Sequence, residues 1–283
     1  MSTPHDLEGL GALVTGGGSG IGLACAVRLA NDGATVTICG RSEERLRNAI
    51  DATGAIDGPG SLHAIVADVS DEAAVVAAVA AAESHVGGPL GAVVANAGGT
   101  QSVGPVTHLD QAGWDATIAV NLNGTLFALK HGAASMVRRG GGSFVAVSSI
   151  AGSLPHPWFG AYGPAKAAID QLCRQAADEL GASQVRVNSV CPGIIDTELM
   201  EYIVAGGPVL DSYLANTPLG RIGVPDDIAA AVRFLVGPET TWLTGQCIAI
   251  DGGQSLRRGP DLSSAIEGLF NPEALRGVVP TDS

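Results

Sequence analysis

Short apolar runs alternate along this chain with longer segments in which apolar residues recur every three or four positions. The runs are rich in valine, isoleucine, leucine and alanine, and most of them end at a glycine or a polar residue, which is typical of buried β-strands. This pattern predicts seven strands, at residues 10–15, 34–39, 62–67, 90–95, 143–149, 185–190 and 246–250.

The intervening segments have the periodicity of amphipathic helices. The pattern predicts helices at residues 20–31, 42–52, 71–86, 111–138, 161–180 and 225–236. In the first helix we expect Leu23, Val27 and Ala30 to form the buried stripe, because they recur at helical spacing. Two other helices carry start signals, since Ser42 is a preferred N-cap residue and Pro225 is favoured in a first turn.

Strands that alternate with helices predict a parallel sheet in which right-handed crossovers place helices on both faces. The expected fold class is therefore α/β, a Rossmann-type doubly wound parallel sheet of about seven strands in a three-layer αβα arrangement. No linker or change of composition divides the chain, so we predict that residues 1–283 form a single domain.

Composition and charge exclude several classes of function. Of the 283 residues, 46% are hydrophobic and 15% are charged, so the chain can bury a large core. The net charge of -13 argues against nucleic acid as a partner, because basic residues supply that affinity, and against docking on an anionic membrane. No apolar run reaches the length of about 18 residues that a transmembrane helix needs, and the amino terminus lacks the pattern of a signal peptide.

The cysteines lie singly in apolar segments, without the CxxC spacing of metal or redox sites. We therefore expect Cys25, Cys39, Cys173, Cys191 and Cys247 to be reduced and buried, and we expect no metal site. Reduced thiols favour a cytoplasmic location, because disulfides form mainly in oxidising compartments.

A glycine-rich turn connects the first predicted strand to the first predicted helix, with Gly16, Gly20 and Gly22 in it. Glycines let the backbone approach a pyrophosphate, and the free N–H groups of a helix N-terminus attract anions. The turn therefore predicts a dinucleotide site. An ordinary glycine-rich turn is the alternative, because the spacing differs from the GxGxxG pattern.

A second candidate site lies between residues 149 and 166. Ser149 offers a hydroxyl, Tyr162 follows thirteen residues later, and Lys166 lies one helical turn beyond the tyrosine. An ammonium beside a phenol favours the phenolate, so we expect the pKa of Tyr162 to lie below its usual value of about 10. Such a tyrosine can exchange a proton with an alcohol or a carbonyl oxygen. The alternative is a chance pairing of a buried tyrosine with a surface lysine.

Together these motifs resemble those of the short-chain dehydrogenase/reductase family, from about Leu10 to Gly253. The matching positions are Thr15-Gly16, Gly20-Ile21-Gly22, Asp68-Val69, Asn96-Ala97-Gly98, Asn121, Ser149, Tyr162, Lys166, Pro192-Gly193 and Asp251-Gly252-Gly253. Each motif is weak alone, but their order and spacing are specific. The resemblance implies an enzyme, a short-chain alcohol dehydrogenase or carbonyl reductase that acts on CH–OH donors with NAD(P).

The resemblance also implies a catalytic set and a cofactor-binding set. Tyr162 is the expected general acid and base, Lys166 lowers its pKa and contacts the nicotinamide ribose, and Ser149 hydrogen-bonds the substrate oxygen. Asn121 is expected to bend its helix and to hold a water between Lys166 and solvent. The expected cofactor-binding residues are Gly16, Ser19, Gly20, Ile21, Arg41, Asp68, Val69, Asn96, Ala97, Gly98, Tyr162, Lys166, Pro192, Gly193, Ile195 and Thr197.

Two of these positions have structural alternatives. Asp68 follows the third predicted strand, where it could cap the next helix; this role is compatible with the contact to the adenine, which we favour. Asn96 follows the fourth strand, where it could connect neighbouring strands by hydrogen bonds.

The end of the second strand discriminates between the two nicotinamide cofactors. An acidic residue there hydrogen-bonds the ribose of NAD, whereas an arginine suits the 2′-phosphate of NADP. Here Gly40 takes the acidic position and Arg41 follows it, so we expect NADP rather than NAD. Arg41 could equally point into solvent or pair with Glu44, and Ser19 adds no second positive charge.

The substrate is expected to be an apolar secondary alcohol or ketone, because residues 154–159 and 194–222 should flank the nicotinamide with apolar and aromatic side chains. The first segment contains Leu154, Trp158 and Phe159, and the second contains Met200, Tyr202, Leu210, Tyr213 and Leu214. These side chains could equally pack on one another or at a subunit interface. We predict a core at 7–253, a substrate lid at 193–222 and a C-terminal extension at 254–283. Within the lid and loop, His156 is expected to be a loop residue and not a base.

Two other functions share parts of this pattern. A catalytically silent dinucleotide-binding regulator could use the same fold, but it would not need the serine, tyrosine and lysine. A sugar-nucleotide epimerase or dehydratase would have a tighter glycine loop and a larger C-terminal domain. The resemblance also implies a homotetramer or homodimer, with helices 111–138 and 161–180 as the expected contact faces.

Overall fold

Seven parallel strands form one sheet at the centre of the structure, a computed structural model that describes residues 6–54, 56–259 and 262–279. The strands are β1 (Gly11–Thr15), β2 (Thr35–Gly40), β3 (Ser61–Val66), β4 (Ala92–Ala95), β5 (Gly142–Val147), β6 (Val185–Pro192) and β7 (Cys247–Ile250). Their order across the sheet is β3-β2-β1-β4-β5-β6-β7. The predicted α/β doubly wound class is confirmed. The outermost parts of the predicted domain, 1–5 and 280–283, lie outside the described residues.

Helices connect the strands and follow the last of them. They are α1 (Gly20–Asn31), α2 (Glu43–Thr53), α3 (Glu72–Val86), α4 (Gln111–Ile118), α5 (Gly124–Arg139), α6 (Tyr162–Leu180), α7 (Glu201–Val204), α8 (Pro208–Ala215), α9 (Pro225–Val236), α10 (Ser263–Ile266) and α11 (Pro272–Leu275). The predicted helix at 111–138 is interrupted, because a π-helical turn at Ala119–Asn123 separates α4 from α5. Ser42 caps α2 as predicted, by accepting a hydrogen bond from the backbone N–H of Arg45.

Both faces of the sheet are covered, which explains why its strands are almost continuously apolar. Successive side chains of a strand point to opposite faces. In β1, Val14 joins the core beneath α1 and α9, whereas Leu13 joins the core beneath α3, α5 and α6. Phe144 of β5 is the largest fully buried side chain and belongs to the second core.

The buried face of α1 agrees only in part with the predicted one. Ala30 is buried as predicted, but Leu23 and Val27 are only half-buried, and Cys25, Ala26 and Leu29 are fully buried instead. The prediction was wrong at Leu23 and Val27 because α1 begins at the glycine turn. Gly22 has to approach the sheet closely, and the residues three, four and seven positions after it share its face.

A crevice forms where the sheet reverses its winding. Strands β2 and β4 lie on opposite sides of β1, so the chain leaves β1 and β4 in different directions. Ligands of doubly wound sheets bind at this point, outside the carboxyl ends of the strands. Gly16 and Asn96 directly follow β1 and β4 and therefore border the crevice.

The cysteines are free, as predicted. Cys25, Cys39, Cys173 and Cys191 are buried, and Cys247 is half-buried. Among the described helices, none is long and apolar enough to cross a membrane.

Candidate active site

A cavity of about 710 Å³ opens at the crevice and extends along the carboxyl ends of the strands. It brings together the predicted catalytic residues Ser149, Tyr162 and Lys166. The predicted cofactor-binding residues that line it are Gly16, Ser19, Gly20, Ile21, Arg41, Asp68, Val69, Asn96, Ala97, Gly98, Pro192, Gly193, Ile195 and Thr197. Residues far apart in sequence meet here because parallel strands end at the same edge of the sheet.

The glycine turn has the geometry of a phosphate site. Gly16 and Gly20 have left-handed φ angles of +65° and +51°, which favour glycine. The side chain of Ser19, the N-cap of α1, makes no capping hydrogen bond, so N–H groups of the first helical turn remain available to a ligand in the cavity. A helix N-terminus with free donors attracts anions. The turn therefore fits the pyrophosphate of a dinucleotide.

Replacing Gly22 with alanine should destabilise this turn. The added Cβ would lie 2.3 Å from the carbonyl oxygen of Gly16 and 2.4 Å from Nδ2 of Asn96, so backbone must shift. We expect the free energy of unfolding to fall by about 1–3 kcal/mol, as for other overpacked sites, and dinucleotide affinity to fall with it. Urea denaturation and cofactor titration measure both effects.

Gly18→Ala is the matched control in the same turn. Its added Cβ would have Leu46 Cδ2 as its nearest atom, at an ordinary contact distance of 3.6 Å. Equal unfolding midpoints for Gly18→Ala and Gly22→Ala would contradict the steric argument.

Asn96 connects the two strands that border the crevice, which was the structural alternative for this residue. Its backbone N–H donates to the hydroxyl of Thr15 at 3.0 Å. Its Nδ2 donates to the carbonyl oxygens of Thr15 and Gly16, each at 3.1 Å. The side-chain amide of Asn96 thus fixes the start of the glycine turn while the residue lines the cavity.

Asp68 does not cap the next helix, so that interpretation was wrong. Asp71 caps α3, because its carboxylate accepts a hydrogen bond from the N–H of Ala73. Asp68 instead accepts from the hydroxyl and the N–H of Ser70, at 2.7 and 2.9 Å. These hydrogen bonds, with a smaller contribution from the charge of Arg41, lower the pKa of Asp68. Asp68 is therefore an ionised carboxylate in the cavity wall.

Arg45 is a cavity residue that the sequence analysis missed. It lies in the first turn of α2 and lines the cavity beside Gly40 and Arg41. Its Nη1 lies 3.6 Å from Oε2 of Glu198, and both side chains are mostly exposed. The position of Arg45 could have been predicted, because it is three residues after the N-cap Ser42 and must lie at the same end of the helix as Arg41.

The predicted catalytic side chains are held by α6 and by the residues that follow β5. Tyr162 begins α6, with Pro164 in the first turn, where proline is tolerated. Lys166 is buried one turn later, and its Nζ donates to the carbonyl oxygen of Val147 at 2.8 Å and lies 5.4 Å from the ring centroid of Tyr162. Ser149 follows β5, and its hydroxyl accepts from the N–H of Ala151 at 3.1 Å.

The pKa of Tyr162 does not lie below its usual value, so that expectation was wrong. Burial raises the pKa of Tyr162, and a hydrogen bond with Ser149 only partly opposes this effect. Burial also lowers the pKa of Lys166 to about 8, against the charges of Asp170 and Cys191. Desolvation disfavours the charged form of each group and is the largest cause of both shifts in pKa. Tyr162 is therefore a protonated phenol at neutral pH.

A substitution at Asp170 can test whether activity depends on the positive charge of Lys166. It is buried one turn after Lys166 in α6, and its Oδ1 accepts a hydrogen bond from the hydroxyl of Ser189 at 2.7 Å. Its charge raises the pKa of Lys166, so Asp170→Asn should lower that pKa below about 8. The loss of activity at high pH should then begin at a lower pH. Superimposable pH profiles of kcat/KM for the two enzymes would contradict this prediction.

Asn121 lies at the centre of the π-helical turn, where a bend was expected, and behind the cavity wall. Its Nδ2 donates to the carbonyl oxygens of Thr117 and Gly99, at 2.8 and 2.6 Å. A Cβ added at Gly98 would lie 2.6 Å from Oδ1 of Asn121 and 3.3 Å from Nζ of Lys166. Asn121 thus positions residues 98–99 next to Lys166. That Asn121 holds a water between Lys166 and solvent stays a prediction.

The substrate end of the cavity contains few of the predicted apolar residues. His156, Phe159, Met200 and Tyr213 line it. Phe159, Met200 and Tyr213 also pack in one apolar cluster, as the structural alternative held. Trp158 and Leu210 belong to this cluster but do not line the cavity. Leu262 of the C-terminal extension belongs to the same cluster, a contact that no sequence pattern indicated.

Comparisons with known proteins agree with this geometry. The family model described as enoyl-(acyl carrier protein) reductase matches residues 16–255. A 2-(S)-hydroxypropyl-CoM dehydrogenase of Xanthobacter autotrophicus is 37% identical over 86% of this chain and 95% of its own length. A galactitol 2-dehydrogenase of Cereibacter sphaeroides is 35% identical over 90% and 98% of the two chains. The solved structure of a short-chain type dehydrogenase/reductase from Mycobacterium ulcerans has a TM-score of 0.93 and is 45% identical, covering 96% of this chain and 99% of its own.

Proposed function

The chain belongs to the short-chain dehydrogenase/reductase family, and within it we propose an enzyme that prefers NADP and uses Tyr162 as general acid and base. Its reaction is the family's NAD(P)-dependent oxidoreduction of secondary alcohols and ketones. The observation that supports the assignment of Tyr162 is its position beside Ser149 and Lys166, in one cavity with the glycine turn. A silent regulator has no support, since the relatives are named dehydrogenases.

Tyr162 and Ser149 would act on the substrate oxygen. When bound, the reduced nicotinamide supplies a hydride to the carbonyl carbon. The protonated phenol of Tyr162 donates its proton to the carbonyl oxygen, and the hydroxyl of Ser149 hydrogen-bonds the same oxygen as negative charge develops on it. Lys166 stabilises the resulting phenolate, because its ammonium faces the ring of Tyr162. In alcohol oxidation the same groups move the proton in the opposite direction.

A screen of ketones and alcohols with both cofactors tests the proposed function. We expect ketone-dependent oxidation of NADPH, followed by the absorbance of the reduced nicotinamide. An enzyme that binds the cofactor but converts no substrate in a broad panel would contradict the proposal.

The preference for NADP is supported by the residues after β2. Gly40 offers no carboxylate to a ribose hydroxyl, and Arg41 and Arg45 are among the residues that line this end of the cavity. Arg45 supplies the second positive charge that the glycine turn lacks. Two guanidinium groups can form charge-assisted hydrogen bonds with a 2′-phosphate.

Replacing Arg41 with alanine should selectively impair the use of NADPH. A hydrogen bond to a charged group is worth about 1.5–3 kcal/mol, so kcat/KM for NADPH should fall by about tenfold to a hundredfold. NADH has no phosphate at this position, and its kcat/KM should change little. Arg47→Ala is the control, because Arg47 is exposed on α2 and does not line the cavity. A wild-type preference for NADH would contradict the proposed cofactor.

Subunit number, location and domain limits are further parts of the proposal. Leu126 and Val137 are 40% and 42% exposed on α5, which supports a subunit contact at this helix in a homotetramer or homodimer. Free, mostly buried cysteines support a cytoplasmic location. We propose that the chain forms a single domain in which residues 193–222 cover the substrate end of the cavity.

A further inference from the structure

His156 lies at the substrate end of the cavity, and the proposed reaction gives it no role. It lines the cavity with Phe159, Tyr162 and Tyr213. Its ring centroid lies 6.2 Å from that of Phe159 and 6.5 Å from that of Tyr213, so aromatic neighbours restrict the imidazole. Phe159 packs edge-on against Tyr162 at 5.1 Å. Aromatic contacts therefore connect His156 to the residue that exchanges the proton.

The backbone determines which nitrogen of His156 carries a proton. Nδ1 lies 2.8 Å from the carbonyl oxygen of Leu154, and because a carbonyl oxygen can only accept, Nδ1 is the donor. Burial lowers the pKa of His156, against the effect of this hydrogen bond, so the ring is neutral at neutral pH. In that tautomer Nε2 is a hydrogen-bond acceptor. Within the described part of the chain, Nε2 has no hydrogen-bond partner.

The charged residues that line the cavity are arranged so that an anionic group of a substrate would be unfavourable beside His156. The charged side chains in the cavity wall are Arg41, Arg45, Asp68, Lys166 and Glu198. The two arginines follow β2, at the other end of the cavity, and Nζ of Lys166 donates to the carbonyl oxygen of Val147. Among the described lining residues, no arginine or further lysine lies at the substrate end to pair with a carboxylate or a phosphate.

We infer that His156 determines substrate specificity, because its Nε2 accepts a hydrogen bond from a hydroxyl group that the substrate carries in addition to the reacting oxygen. The substrate class that fits is an uncharged hydroxyketone, or the corresponding diol. Its hydrocarbon part would contact Phe159 and Met200, which line the same end of the cavity. This inference rests on the proposed reaction of alcohols and ketones.

Pairs of ketones that differ by one hydroxyl group test this inference. Acetoin and butanone form one pair, and diacetone alcohol and methyl isobutyl ketone form another in which the hydroxyl is one carbon further away. A hydrogen bond of ordinary net strength corresponds to about a tenfold difference in kcat/KM. In the wild-type enzyme we expect kcat/KM for the hydroxylated ketone to exceed that for its partner by about tenfold in at least one pair. Acetoacetate, which carries a carboxylate, should be a poorer substrate than acetoin.

Three variants separate the role of Nε2 from a general effect on the cavity. His156→Leu should reduce the ratio of the two kcat/KM values to about one. His156→Gln should retain part of the preference, because its amide oxygen can accept a hydrogen bond. His131→Gln is the control, since His131 contacts Glu72 and does not line the cavity, and its ratio should equal that of the wild type. A ratio within one variant does not depend on how much enzyme is folded.

The outcomes distinguish this inference from the proposed function. If His156→Leu still preferred the hydroxylated ketones, the inference would be overturned and the proposed function would stand. The same conclusion would follow if the wild-type enzyme reduced both members of each pair with equal kcat/KM. Failure to reduce any ketone with either cofactor would contradict the proposed function, and the inference with it.

Discussion

Tyr162→Phe should lower kcat/KM by about 10²- to 10⁴-fold, the range that general acid catalysis contributes. The substitution removes only the hydroxyl that donates the proton. The phenyl ring can keep the edge-on contact with Phe159 at 5.1 Å, so the fold and the cavity should persist. Cofactor affinity, measured by titration of the variant with NADPH, should remain close to that of the wild type. Steady-state kinetics with one ketone measures the loss.

Tyr202→Phe is the matched control for this substitution. Tyr202 is 64% exposed and does not line the cavity, so removal of its hydroxyl should not alter turnover. If Tyr162→Phe kept wild-type rates, the proton would have to come from another group, and the assignment of Tyr162 would be lost.

Lys166→Met should have the second largest effect, a loss of about 10²-fold or more in kcat/KM. Methionine fills a similar volume but cannot stabilise a phenolate at Tyr162, so proton transfer becomes unfavourable. The variant also loses the hydrogen bond to the carbonyl oxygen of Val147, which leaves a buried acceptor without its donor. The free energy of unfolding should therefore fall by about 1–3 kcal/mol. Kinetics and urea denaturation report the two effects separately.

Lys130→Met controls for the loss of a lysine, because Lys130 and Lys166 are the lysines of this chain. Lys130 pairs with Glu72 on the surface at 2.8 Å, where ion pairs contribute little. Its replacement should change neither kinetics nor stability appreciably. Full activity of Lys166→Met would contradict the electrostatic role of Lys166.

The sheet and the positions of the proposed catalytic residues could be predicted because both depend on local patterns. Strands buried on both faces leave an apolar run in the sequence, as at β4 and β5, and their carboxyl ends are then known to meet at one edge. Asn96 directly follows β4, and Ser149 lies two residues after the end of β5. Tyr162 and Lys166 are one turn apart on a helix, so their proximity follows from helical geometry.

Other features depend on contacts that no local pattern specifies. The π-helical turn coincides with the hydrogen bonds of Asn121 to Gly99, a residue 22 positions earlier in the chain. The pKa of Tyr162 was predicted in the wrong direction, because spacing indicates a neighbouring charge but not the extent of burial. The tautomer of His156 depends on the carbonyl group of Leu154, and this became apparent only from the fold of the loop.

Transfer of deuterium tests the central claim most directly. NADPH that carries deuterium at the transferred position of the nicotinamide would be incubated with a ketone that the wild-type enzyme reduces, and the alcohol would be analysed by mass spectrometry. We predict that each alcohol molecule contains one deuterium on the former carbonyl carbon, and that Tyr162→Phe forms almost none of it despite binding NADPH. Alcohol without deuterium, or equal formation of labelled alcohol by Tyr162→Phe, would contradict the account.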